Sequence, residues 1–410
     1  MYLKNKINIL NERYNRKSFI KKGVGPYIYL ESKKYFDLSY GSGTLILGHN
    51  SNYFKKLLNN INKKNISLYS EPNSQATLFA QTLKKINKNL EKFIFCNSGT
   101  EAVFKALRIA KAISRKNIII SVTGSWHGSA DKLLFHRRNG QILPVSDGLN
   151  ETDRKNIKII DYNDIEKSKK VLNKFKNRIS CIIIEPIQGC LPDPQIKKYL
   201  KFLSNFSKKN NCILIFDEII TGLRTKNGSV QNFYNIKPDI SLFGKCYGGG
   251  FPIGIIGISK KINYLITKKK LSIFFGGTFS ANAVSCFIGN STTNYILKNK
   301  KIIKKLENFS IQFQNKINSF LLNEDIDAKV YRFQTIIRIV FSRNKIKDRI
   351  SRDFFEKKNI SKVNNFKSYL MKKGIIYPNN GIIFFSNANT NQDLNFIIKI
   401  ICLGLKKFFK

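Results

Sequence analysis

The chain has 410 residues, of which 42% are hydrophobic, 12% aromatic and 24% charged, a balance that excludes a disordered or fibrous protein and allows one large domain with a smaller one, each with its own core. Its formal charge is +46, from 72 Lys and Arg against 26 Asp and Glu. The excess is mostly lysine, spread evenly among abundant Asn, Ile, Phe and Tyr, which reads as the composition of an AT-rich genome and not as a nucleic-acid-binding face, where cations cluster.

Short apolar runs between Gly23 and Gly48, such as YIYL and YFDL, predict a small β-rich segment leading into a helix. From about Asn60 to Leu297, apolar runs alternate with amphipathic stretches, the pattern of a parallel α/β sheet. The strand candidates are FIFC from Phe93, IIISV from Ile118, CIIIE from Cys181, CILIFDE from Cys212 and DISLFG from Asp239. They are apolar throughout, as strands covered on both faces are. After about Lys298 the pattern changes to Lys-rich amphipathic helices with strands including TIIRIVF and GIIFFS. The expected division is therefore 1–59, 60–297 and 298–410, with the outer segments forming a small α+β domain around a large central one.

Seven scattered cysteines without a C-x-x-C pair and only three histidines argue against a disulfide framework or a metal centre. The N-terminal MYLKNKINIL lacks the apolar core of a signal peptide, and no apolar run reaches membrane length. A soluble, cytoplasmic protein with no membrane or nucleic-acid partner and no metal is expected.

Open α/β sheets build their sites at the carboxyl ends of strands, and three candidate strands end in polar residues. FIFC runs through Asn97, Ser98, Gly99 and Thr100 into an amphipathic helix, whose N-terminus offers free amides and a favourable dipole to a phosphate. CILIFDE ends in Asp217 and Glu218, and a buried acid there needs a cation such as a protonated pyridine nitrogen. DISLFG is followed by Lys245 and three glycines, a setting in which desolvation lowers the pKa of an amine toward a nucleophilic state.

In order and spacing, LILGHN, NSGTEA, GSWHG, IIEPIQG, LIFDEIITGLR, the PDISLFGK and GGGFPIG block and GGTFSANAVS resemble the class III aminotransferases. These are fold-type-I pyridoxal-phosphate enzymes, and the glutamate-1-semialdehyde aminomutases are the branch most similar to this chain. The resemblance implies pyridoxal 5'-phosphate as cofactor, Lys245 as its Schiff-base lysine and Asp217 as the partner of its ring nitrogen. It further implies Ser98, Gly99 and Thr100 at the phosphate, Trp126 stacked on the ring with His127 beside it, and Thr278 reaching the cofactor of a neighbouring subunit in a homodimer. The implied activity is amino transfer between a small-molecule donor and a carbonyl acceptor, or, alternatively, the intramolecular transfer that gives 5-aminolevulinate.

The chain departs from the aminomutase pattern on the substrate side. Gly41 and Ser42 stand where that branch has Ser and Trp, Cys190 stands where it has Asn, and PNNGIIFF from Pro378 lacks its acidic residue. Substrate candidates are Ser42, Glu185, Arg338 and Arg137, the last in a stretch after His136 read as a mobile loop over the site; Arg138 and Arg332 are further arginines to consider.

Overall fold

In the computed structural model, which describes residues 19–410 apart from Ser70, Asn139 and Lys345, β1 (Ile20–Val24), β2 (Tyr27–Leu30) and β3 (Lys33–Asp37) form an antiparallel meander. The decapeptide read for a signal sequence lies outside the described residues.

The central stretch supplies β4 (Leu90–Cys96), β5 (Ile118–Val122), a hairpin of β6 (Phe135–Arg138) and β7 (Gln141–Pro144), and then β8 (Ile157–Ile160), β9 (Ile179–Ile184), β10 (Ile213–Asp217), β11 (Ile240–Gly244) and β12 (Gly254–Ser259). Seven of these form one sheet in the order β4-β12-β11-β10-β9-β5-β8, in which only β12 runs against its neighbours. Every residue of β5, β9, β10 and β11 is buried, because helices cover both faces. The helix Gly99–Ser114 shows how: Ala102, Val103, Ala106, Ile109, Ala110 and Ile113 recur at helical spacing and press on the sheet. Ser98 caps it by accepting from the Glu101 amide at 3.1 Å.

The C-terminal part contributes β13 (Lys329–Phe333), β14 (Ile336–Val340), β15 (Ile375–Ile376) and β16 (Ile382–Ile383). β13, β14 and β16 form one sheet, whereas β15 pairs in parallel with β3, so segments from both ends of the chain share a sheet. One apolar cluster runs from Phe79, Phe95 and Phe243 to Phe309, Phe313 and Ile401, tying the central sheet to the C-terminal helices. None of the helices described is long and apolar enough to cross a membrane.

Two expectations change. The stretch after His136 is a β-hairpin followed by the short helix Glu151–Asn156 rather than a loop, because Gly140 with φ +78 closes a turn between β6 and β7. GIIFFS contributes only Ile382 and Ile383 to a ladder, although its two phenylalanines are buried.

Candidate active site

Five parallel strands deliver their C-terminal ends to one side of the sheet. Beyond β4 lie Ser98, Gly99 and Thr100; beyond β5 the turn with Trp126 and His127; beyond β9 Glu185; at the end of β10 Asp217; and beyond β11 Lys245. Lys245, Ser42, Trp126, Glu185, Cys190 and Arg338 share the wall of one cavity of about 950 Å³, within the size range of small-molecule sites.

Lys245 has φ +47, in the left-handed region that a residue with a Cβ enters only where its surroundings compel it. Its amine is partly buried, and burial holds its pKa below the usual lysine value, with Glu185 and Asp217 pulling the other way. Asp217 is buried and held from two sides. An ionised carboxylate can only accept, so His127 Nδ1 donates to Asp217 Oδ2 at 2.7 Å, and the Ile219 amide donates to Oδ1 at 3.1 Å. His127 Nε2 is buried with no protein partner.

Glu185 accepts from the Trp126 amide at 2.7 Å and from the Gly189 amide at 3.3 Å. Burial, reinforced by the nearby Asp217 charge, pushes its carboxyl up to about 7. The Trp126 ring is 53% exposed on the cavity wall while its backbone is pinned by that acid. Burial also pushes the Cys190 thiol up to about 11, so it stays protonated.

The helix end beyond β4 is packed by neighbouring backbone. A Cβ on Gly254 of β12 would stand 2.6 Å from the Ser98 carbonyl carbon and closer still to its oxygen, so only glycine lets β12 lie against this turn. Thr100 Oγ1 accepts from the Ser129 amide at 3.2 Å and ties the helix start to the turn after His127. With Ser98 capping Glu101 and its carbonyl taking the Ala102 amide at 3.1 Å, the Gly99 and Thr100 amides head a sixteen-residue helix.

Ser42 enters the cavity from a turn in which Tyr40, Gly41, Ser42 and Gly43 all have positive φ, from 43° to 87°. Arg224, fully buried, donates to the Gly43 carbonyl and stacks on Phe384 with 4.2 Å between guanidinium carbon and ring centroid. Cys246, directly after Lys245, donates to the same carbonyl at 2.9 Å.

Not every candidate joins this group. Arg137 pairs with Asp161 and donates to the Ile159 carbonyl at 3.2 Å, and it does not line the cavity. Thr278 is exposed and lines a separate hollow of about 660 Å³ with Tyr69, Glu71 and Ser280. Conversely, Arg349 and Arg352, from the helix Arg349–Lys357, line the Lys245 cavity. Nothing in their local sequence distinguishes them from a solvated charged helix.

Residues 9–376 match the family described as Aminotransferase class-III. The chain belongs to the class III aminotransferases. A glutamate-1-semialdehyde 2,1-aminomutase of Thermosipho melanesiensis is 32% identical over 392 residues, covering 93% of this chain and 90% of that protein. One from Wigglesworthia glossinidia brevipalpis is 35% identical, covering 80% and 76% respectively. Among solved structures, an omega-transaminase from Sphaerobacter thermophilus superposes with a TM-score of 0.88 at 21% identity, over 96% of this chain and 91% of its own. A glutamate-1-semialdehyde aminomutase from Pseudomonas aeruginosa PAO1, in complex with PMP, superposes at 0.86 and 16% identity, over 96% and 88%. This aminotransferase therefore has the α/β fold of the fold-type-I enzymes, and its cofactor is pyridoxal 5'-phosphate.

The residues present fit that group. The Lys245 cavity wall carries an amine whose pKa burial lowers; Asp217, oriented by two donors, and the helix N-terminus beyond β4 do not line that cavity but stand at neighbouring strand ends on the same side of the sheet.

Proposed function

We propose that this aminotransferase moves an amino group from a small-molecule donor to a separate carbonyl acceptor, with Lys245 as the residue that carries the cofactor and transfers the proton. The observation that carries this reading is the placement of a desolvated amine and a buried, doubly hydrogen-bonded carboxylate at the ends of adjacent parallel strands.

Pyridoxal phosphate, when bound, supplies an electrophilic carbon and a ring that withdraws electrons from the substrate carbon. Asp217, locked by His127 and the Ile219 amide, would hold the proton on the ring nitrogen. The Gly99 and Thr100 amides, with Ser98 bracing the turn, would receive the phosphate. Trp126 would cover one face of the ring. The Lys245 amine, whose pKa burial lowers, accepts a proton from the substrate carbon and returns it to the product. Glu185 holds the Trp126 turn through its Oε1.

In this reading residues 60–297 bind the cofactor, while 1–59 and 298–410 supply the substrate side. Ser42 and Arg338 face the substrate; Arg137, committed to Asp161, does not. The enzyme is a cytoplasmic homodimer in which Thr278 reaches the partner's cofactor. Supporting this, Phe274 and Phe279 in the same stretch as Thr278 are 74% and 54% exposed in the single chain.

Borohydride reduction should fix a cofactor-sized mass on the peptide containing Lys245, and Lys245→Ala should abolish it. An adduct on another lysine would overturn the assignment. Relatives about 32% identical that carry the name of the aminomutase favour a second reading, intramolecular transfer within glutamate 1-semialdehyde. Efficient formation of 5-aminolevulinate from that compound, with no added amino acceptor, would establish it in place of transamination.

A further inference from the structure

We infer that Arg338, Arg352 and Arg349 form a subsite for a second anionic group of the substrate, a carboxylate or phosphate monoester remote from the reacting carbon; this rests on the aminotransferase reading above. All three line the Lys245 cavity, yet none comes from the strand ends that surround the lysine.

Arg338 projects from the middle of β14 and is only 7% exposed. It donates to the Asn380 carbonyl and pairs with Glu356 at 3.3 Å, while its Nε is buried without any partner. Arg352, 5% exposed, donates to the Cys190 carbonyl at 2.7 Å and pairs with Asp353. Its Nε lies 3.3 Å from Glu356 Oε2, the same oxygen that Arg338 uses. Glu356 Oε1 accepts from the Phe341 amide at 3.2 Å. A single carboxylate oxygen thus serves two buried guanidinium groups. Arg349, partly exposed at the cavity wall, lies 3.4 Å from the exposed Asp353.

The three arginines share only two acids, Glu356 and Asp353. Desolvated cations without matching charge are unstable. An anion entering the cavity would supply the missing charge, and guanidinium forks suit the planar or tetrahedral oxygens of carboxylate and phosphate. The fork is also held in advance. A Cβ on Gly381, at φ +73, would stand 2.5 Å from Arg338 Nη1 and 2.8 Å from its Cζ, so the absence of a side chain lets the guanidinium lie against this turn. Glu356 sets the balance: it steadies both arginines and competes with the incoming anion.

Calorimetric titration of the holoenzyme at constant ionic strength tests this, with glutarate, pentanoate and glycerol 3-phosphate as probes. Glutarate or glycerol 3-phosphate should bind more tightly than pentanoate, and the tighter of the two identifies the chemistry. Arg338→Met and Arg352→Gln should weaken that probe by roughly tenfold to a hundredfold and leave pentanoate unchanged. Glu356→Gln should strengthen it. Arg349→Gln, at the more exposed position, keeps the test open if the buried variants do not fold.

Equal binding of all three probes to the wild type would overturn the subsite, as would unchanged glutarate and glycerol 3-phosphate binding in folded arginine variants. Borohydride labelling of Lys245 is read separately on the same preparations: its loss would defeat the aminotransferase reading, whereas labelled enzyme without selective anion binding would defeat only the subsite.

Discussion

Glu218 offers a sharp test of how this fold tolerates a buried acid. Its side chain is fully buried directly after Asp217, where Oε1 accepts from the Gln231 amide at 3.0 Å and Oε2 from Thr221 Oγ1 at 3.0 Å and from the Val230 amide. Despite these donors, burial pushes its carboxyl up to about 7 from the ordinary 4.5. A folded-state pKa above the unfolded one means that the folded protein holds the proton more firmly. The stability associated with that proton is whole below pH 4.5 and is lost as pH rises to about 7, beyond which the deficit is constant. A displacement from 4.5 to about 7 corresponds to about 3 kcal/mol. Glu218→Gln removes the titration; its single amide oxygen keeps the donors of one carboxylate oxygen while its NH2 meets those of the other, at a pH-independent cost of about 1–3 kcal/mol. Urea denaturation of both proteins at pH 5, 6, 7 and 8 should show the variant gaining on the wild type by about 2–3 kcal/mol across the window, part of the shift being already lost at pH 5. Taking the difference cancels the pH dependence that cofactor binding and Glu185 give to both. A difference that stays constant, or that favours the wild type at high pH, would refute the claim that desolvation dominates this site.

Gly254→Ala should cost about 1–3 kcal/mol or more in stability, because the added carbon meets backbone of Ser98 that cannot rotate away. A shift of that turn should also weaken cofactor binding at least tenfold, and thermal melts with fluorescence titration of pyridoxal phosphate measure both; a variant normal on both counts would contradict the packing argument. Ser42→Gly should raise stability by about 1 kcal/mol in urea denaturation, since Ser42 sits at φ 59° and ψ 36°, where a Cβ is penalised. The same change should alter KM for the substrate, and a loss of stability would show that the hydroxyl, not the backbone, dominates this turn.

The residues proposed for the cofactor side each follow a local signal in the sequence. Asp217 and Lys245 close runs of buried apolar residues, and Thr100 opens a helix with a clear apolar stripe. β12 is harder to read, since GIIGIS carries two glycines and, running against its neighbours, ends in Ser259 away from the site. The hairpin of β6 and β7 was read as a loop because its residues are mostly half-buried or exposed and show no continuous apolar run.

The substrate side obeys a different logic, and Arg137 and Arg352 show why. Both are arginines in basic stretches, but Arg352 has Asp353 and Glu356 on its own helix while Arg137 has no acid so near. Arg137 is neutralised by Asp161, 24 residues away. Arg352 reaches the Cys190 carbonyl, 162 residues away, and shares Glu356 with Arg338 from another element. Whether an arginine lines the cavity depends on which distant segments the fold brings together, and that is settled by the packing of the C-terminal segment over the sheet. In the proposed reading, cofactor chemistry rests on strand ends that each carry their own context, while specificity rests on contacts between segments that local pattern does not encode. On that reading, one cofactor site could serve different substrates, because residues such as Ser42, Cys190 and Arg338 lie on segments separate from the strand ends that carry Asp217 and Lys245.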